Sequence, residues 1–243
     1  MGNEDKYRIY KWQIIFLVIT PLFLSLVFLL MSTIRGAERV VTISAVGDTN
    51  GYNLLFDASN QADPIRRVKS LLVDSDVFLF NYEGVILPRD PGPGECHSFP
   101  RQSLFYTTPQ IVNFLRPVPL AVAGIANNHI LDCGSSGIRE TIGALKSNGI
   151  LTVGAGKDTL EACSPVLLEI NGYKIAVVAY LEIRQDLLFA DSNRAGAASW
   201  EECDGERQIG KLKASGRIVI VSLHLHMGRG WTESPPQPHI DLV

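Results

Sequence analysis

The sequence predicts an α/β domain on a mixed sheet from three observations: short β-branched runs alternate with segments of helical periodicity, an Asn-Gly pair joins two of the runs, and polar residues collect where the runs end. Residues 40–46 (VVTISAV) have the β-branched density of a buried strand and stop at Gly47-Asp48, a turn signal. Behind Asp63 and Pro64, a start signal, Ile65, Val68, Leu71 and Leu72 recur at helical spacing, so a helix is expected there. Residues 77–80 (VFLF) give a second buried strand. Residues 84–106 are rich in proline and glycine and too long for a plain connection, so they read as a surface or lid loop. A short helix over 111–115 and a third strand over 120–126 (LAVAGIA) follow, then a helix over 135–147 that Asn148-Gly149 stops. A fourth strand covers 150–153. Residues 166–170 and 173–180 flank Asn171-Gly172, the hairpin signal that makes the sheet mixed. A helix over 201–213 and a strand over 217–223 (RIVIVSL) complete the pattern, and His224 and His226 come directly after it.

The 243 residues carry 22 basic and 25 acidic side chains, a formal net charge of −3. That balance supplies no single-sign field for a nucleic-acid backbone, so nucleic acid is not an expected partner. Part of the 46% hydrophobic content sits in one block near the N-terminus. Residues 14–34 are uncharged and interrupted only by Thr20, Pro21, Ser25, Ser32 and Thr33, long enough for a hydrocarbon core about 30 Å thick. Lys6, Arg8 and Lys11 precede the block. The expected topology is therefore a cytoplasmic N-terminus over 1–12, a transmembrane signal-anchor over 13–34 and an extracytoplasmic domain over 40–243. The apolar run exceeds the roughly 7–15 residues of a cleaved signal, and no small-x-small site stands before Arg35. Cys96, Cys133, Cys163 and Cys203 lie far apart, without the C-x-x-C spacing of a zinc ribbon or redox pair. Their spacing leaves open one or two disulfides, in any pairing, or four buried thiols.

The polar residues at the strand ends carry the chemistry. Asp48 follows the first strand, Asn81 and Glu83 the second, Asn127, Asn128 and His129 the third, and His224 and His226 the last. Ligands of α/β sheets bind at this C-terminal edge. Taken singly these are ordinary features: Gly47-Asp48 makes a turn, and a lone histidine is usually a satisfied core or surface residue. Taken in order, hard oxygen donors with imidazoles point to a divalent-metal centre holding Mn²⁺, Fe or Zn²⁺.

GDTN at 47–50, NYEG at 81–84, ANNHILDCGSSGIRETIGAL at 126–145, GAGKD at 154–158 and HMG at 226–228 resemble the CapA family of capsule or poly-γ-glutamate synthesis proteins, a branch of the calcineurin-like metallophosphoesterases. The resemblance spans roughly residues 40–240 and is most specific in the ANNHxxDxG block. It implies a four-layer α/β/β/α sandwich behind a membrane anchor. It also implies a metal set of Asp48, a bridging Glu83, Asn128 and His226 for two divalent ions, with Mg²⁺ added to the possible identities. His129 becomes the general acid, and Asn81, Asn127, Asp132 and His224 become orienting residues. Asn50 stands where the superfamily has a metal-ligating histidine, and the family's late histidine ligands lie beyond Val243, so the domain is expected to be incomplete at its C-terminus. The implied role is synthesis, export or anchoring of an extracellular anionic polymer such as poly-γ-glutamate, acting on the polymer or a phosphoester at the membrane, beside other capsule-synthesis membrane proteins. A non-catalytic scaffold subunit and an inactive, truncated gene product are the alternatives.

Overall fold

The computed structural model describes residues 40–50, 72, 74–92, 94–97, 104–115, 120–182 and 186–225. The expected transmembrane span over 13–34, the helix after Pro64 and His226 lie outside these residues. Among the described residues no helix is long and apolar enough to cross a membrane.

Two sheets dominate. The first comprises β1 (Ile43–Thr49), β2 (Val77–Tyr82), β5 (Ala121–Gly124) and β6 (Ile150–Val153), in that order and all parallel. Its central strands are apolar without alternation, as strands covered on both faces must be: Val77, Phe78, Phe80, Ala121, Val122 and Ala123 are all buried. The second sheet joins β8 (Val166–Ile170), β9 (Tyr173–Glu182) and β11 (Ile218–Leu225) in the order β11-β9-β8. Its β8–β9 hairpin turns at Asn171 and Gly172, both with positive φ (53° and 85°), the backbone of a type I′ turn. The parallel β9–β11 pair makes the sheet mixed, as expected. Two small ladders remain, β3 (Val85–Ile86) with β4 (Tyr106–Thr107) and β7 (Ala155–Gly156) with β10 (Gly196–Ala197).

Alternation along β9 shows how the core divides. Ile175, Val177, Ala179 and Leu181 join the main core with Phe80, Val122 and Val153 of the first sheet. Val178 and Tyr180 point the other way, into a smaller cluster with Trp200, Leu212 and Val219. The two sheets therefore face each other through the odd-numbered residues of β9. Helix α2 (Gly134–Ser147) packs on β3 and β6, and α4 (Gly205–Ala214) packs on β11. Among the described residues there are also two shorter α-helices, α1 (Val112–Leu115) and α3 (Thr159–Ala162), and two 3-10 turns at Pro109–Ile111 and Asp186–Leu188.

Several boundaries differ from the sequence expectation, each for a tertiary reason. β1 does not stop at Gly47-Asp48: it pairs with β2 as far as Thr49, because the register shifts by one residue between Ala45 and Asp48. β9 and β11 run on to Glu182 and Leu225, each supplying the other's ladder partner, so His224 lies inside a strand and not after one. The helix expected from residue 201 begins only at Gly205; Asp204 is left-handed (φ 50°) and Cys203 is bridged to Cys163. The 84–106 segment is less a free loop than a stapled one. Its ends pair as β3 and β4, Arg89 is ion-paired with Glu95, and Cys96 is bridged to Cys133. The four cysteines thus form two disulfides, leaving no free thiol among the described residues.

Candidate functional site

The C-terminal ends of β1, β2, β5 and β11 meet at one place, and eight of the nine residues singled out in the sequence are found there. Asp48 reaches the site through the register shift. Three steps along β1 (Ala45 to Asp48) match two along β2 (Leu79 to Asn81), so one residue is extra and the phase of the side chains reverses. Asp48 consequently shares a face with Asn81, and Asn81 Nδ2 donates to Asp48 Oδ1 at 2.6 Å.

The same amide nitrogen lies 3.0 Å from His224 Nδ1, while His224 Nε2 lies 2.8 Å from Asn128 Oδ1. An amide NH₂ only donates and an amide oxygen only accepts, so one neutral tautomer, protonated at Nε2, satisfies both contacts. His224 Nδ1 is also 3.4 Å from Asp48 Oδ1, to which a charged ring would donate instead. Asn127 braces the centre: its Nδ2 donates to Tyr82 O (2.7 Å) and Asn81 Oδ1 (3.3 Å), and its Oδ1 accepts the His129 N–H at 3.1 Å.

Glu83 closes the group. Its Oε1 is 3.8 Å from His224 Nε2 and 3.9 Å from His129 Nε2. Burial pushes its carboxyl above the ordinary value, and the charge of Asp48 pushes it the same way, against opposing pulls from His224, His129 and a hydrogen bond with Asn50. The Asp48 carboxyl is held below its ordinary range, chiefly by the hydrogen bond the charged form of His224 gives it, then by that from Asn81, against its own partial desolvation. Two neighbouring carboxyls pushed in opposite directions suit different roles at one pH.

His129 occupies the other flank. Its Nδ1 is 2.9 Å from Asp132 Oδ2, and since an ionised carboxylate only accepts, Nδ1 carries the proton and Nε2 faces Glu83. Asp132 is buried, and its Oδ2 also accepts the Phe105 N–H at 2.8 Å. The Phe105 ring stacks on the imidazole, with centroids 4.0 Å apart and 15° between planes. Sequence reasoning missed Phe105, and it placed Asn50 at a ligand's position without its bond to Glu83. Phe105 belongs to the Pro/Gly-rich segment, where periodicity carries no signal, and only the fold brings it to His129.

As a metal site the group is fitting in chemistry but not yet arranged around a centre. Asp48 and Glu83 carboxylates, Asn128 Oδ1 and a His224 imidazole are the donors borderline and hard divalent ions take. The separations of 2.8 and 3.8 Å about His224 Nε2 bracket the roughly 3 Å between neighbouring ligand atoms around a small ion. Asn128 and His224 are nonetheless hydrogen-bonded to each other and Asp48 to Asn81, and among the described residues no three His, Cys, Asp or Glu side chains are disposed together as metal ligands.

The fold and this site define a mixed α/β protein whose polar centre, built of carboxylates, amides and imidazoles, sits where two facing sheets end. The chain belongs to the family of bacterial capsule synthesis proteins PGA_cap, whose model matches residues 42–243. It is 24% identical over 172 residues to the capsule biosynthesis protein CapA of Bacillus anthracis, covering 70% of this chain and 41% of that one. It is 26% identical over 192 residues to the PGA biosynthesis protein CapA of Bacillus subtilis (strain 168), covering 77% and 50%. It is 31% identical over 125 residues to a probable polyglutamine synthesis accessory protein of Mycobacterium tuberculosis (strain H37Rv), covering 47% and 33%. The chain thus spans between about a third and a half of the length of these relatives.

Proposed function

We propose that this chain serves the synthesis, export or anchoring of an extracellular anionic polymer such as poly-γ-glutamate, through a metallophosphoesterase-type centre at the edge of an α/β/β/α sandwich. The carrying observation is the convergence of Asp48, Glu83 and Asn128, from three different segments, within hydrogen-bonding or ion-pair distance of His224 on a fourth. An anchor over 13–34 would hold the domain at the outer face of the membrane. The two disulfides support that side, since such bonds persist in oxidising compartments.

Divalent ions bound there would polarise a phosphoryl or carbonyl oxygen and lower the pKa of a water. Asp48, Glu83 and Asn128 would hold them, with His224 placed to serve beside or in place of His226. Asn81 and Asn127 fix the ligands' orientation, a task whose loss is usually felt in affinity. His129, held at Nδ1 by Asp132, would face the leaving oxygen with Nε2 and, when the ring is doubly protonated, give the Nε2 proton to it, returning to the neutral Nδ1–H form. Asn50, by bonding Glu83 in the place of a histidine ligand, leaves the first ion dependent on oxygen donors.

A non-catalytic reading is favoured by a different observation, the hydrogen bonds that engage Asp48 with Asn81 and Asn128 with His224. The deciding experiment incubates the purified full chain with Mn²⁺ and a chromogenic phosphodiester, beside Glu83→Ala and His224→Ala. Turnover that needs Mn²⁺ and is lost in both variants supports the enzyme. Poly-γ-glutamate binding with no turnover under any of Mn²⁺, Fe²⁺, Zn²⁺ or Mg²⁺ overturns it in favour of the scaffold.

A further inference from the structure

We infer that Phe105 and the Cys96–Cys133 disulfide are the positioning machinery of His129, joined to it through the single carboxylate of Asp132. Asp132 Oδ2 takes two donors at once, the His129 Nδ1–H at 2.9 Å and the Phe105 backbone N–H at 2.8 Å. Among the described residues its other, buried oxygen has no hydrogen-bond partner, so the two donors at Oδ2 orient the carboxylate. The Phe105 ring lies flat against the imidazole it helps to place. Ring and backbone of one residue thus fix the histidine by two linked routes: the stack holds the imidazole in the plane where Nδ1 meets Asp132 Oδ2, and the carboxylate so met sets the tautomer.

The segment carrying Phe105 is tied to the same turn twice more. The His97 N–H donates to the Asp132 carbonyl at 2.8 Å, and Cys96 is bonded to Cys133, the next residue. Three ties from residues 96, 97 and 105 therefore converge on the neighbouring pair Asp132 and Cys133. The disulfide also packs in a small apolar cluster with Val85, Leu87, Leu104 and Tyr106, beside Gly137 of α2. Together the ties hold Asp132, and through it His129, near Glu83 at the end of β2. Phe105 is then a positioning residue: its loss should slow a step that needs His129 aligned without weakening substrate binding.

The kinetic arm of the test rests on the hydrolytic reading above; the spectroscopic arm does not. The full chain, labelled with ¹⁵N-histidine and with its His129 signal assigned by His129→Gln, is compared with Phe105→Ala, Phe105→Leu, Phe105→Tyr and Cys96→Ala/Cys133→Ala. Wild type and Phe105→Tyr should show one His129 tautomer with a slowly exchanging Nδ1–H. Phe105→Ala and the double cysteine variant should show a mixture of tautomers and a rapidly exchanging proton. With a chromogenic phosphodiester, kcat should fall roughly 10–100-fold in those two variants, KM should stay within about twofold, and Phe105→Tyr should recover most of the rate. Phe105→Leu keeps apolar bulk and the backbone donor, so it stays folded if alanine does not, and it should fall between the two. A single His129 tautomer with an unchanged proton in Phe105→Leu and in the double cysteine variant overturns the inference. Absence of turnover in wild type with an intact difference in the histidine spectra overturns the hydrolytic reading alone.

Discussion

Asn81 Nδ2 donates to Asp48 Oδ1 at 2.6 Å across β1 and β2, a contact that exists because β1 carries one residue more than β2 between Ala45 and Asp48. In unbroken parallel register Gly47 would stand opposite Asn81, and the Asp48 side chain would leave on the other face. The extra residue therefore decides whether the first strand contributes to the site at all.

Deleting Val46 should restore regular pairing and turn Asp48 away. The deletion variant is expected to stay folded by circular dichroism while losing Mn²⁺ affinity measured by calorimetry. Asn81→Ala keeps the register but removes the donor between Asp48 and His224, and should weaken Mn²⁺ binding roughly 10–100-fold. Equal affinity in wild type and both variants would show that Asp48 takes no part in binding.

Glu83→Gln tests the electrostatics. Burial and the Asp48 charge raise the Glu83 carboxyl above its ordinary value of 4.5 in the folded state. A raised carboxyl favours folding while protonated in both states, and that contribution is lost as pH rises through the folded value. With chelator present, Glu83→Gln should therefore melt above wild type at about pH 8, and the difference should shrink to nothing by about pH 4. A variant less stable than wild type at the higher pH, with its fold intact, refutes the sign.

Gly154 separates packing from site chemistry. Its φ is +100°, and a Cβ there would stand 2.7 Å from Ala126 Cβ and 2.8 Å from Ala179 Cβ, one on the loop leading into the site and the other on β9. Gly154→Ala should cost about 2–4 kcal/mol in urea unfolding from overpacking and strain together. Gly143→Ala on α2, where a Cβ meets nothing within 4 Å, should instead gain about 0.5–1 kcal/mol. Equal stability of the two variants would contradict the crowding at Gly154.

Much of this was legible in the residues because it depends on local rules. β-branched runs are apolar wherever a strand is covered on both faces, so β2, β5 and β6 announce themselves, and Asn171-Gly172 tolerates the positive φ that a hairpin demands. Polar side chains directly behind such runs mark the sheet edge, which is why Asp48, Asn81, Glu83, Asn127, Asn128, His129, Asp132 and His224 were recognisable before their contacts were known. The sequence by itself thus determined the longer strands, the mixed sheet and most of the polar residues of the site. Tertiary structure alone decided the rest, because it depends on residues remote in sequence. The disulfide partners are set by which Cα atoms the fold brings within reach, 37 and 40 residues apart. The extent of β9 and β11 is set by the ladder each offers the other. The face taken by Asp48 is set by its register against β2, and the place of Phe105 by a carboxylate 27 positions away. No periodicity encodes a hydrogen bond across that distance; only the packed chain, which must give nearly every buried donor and acceptor a partner, specifies it.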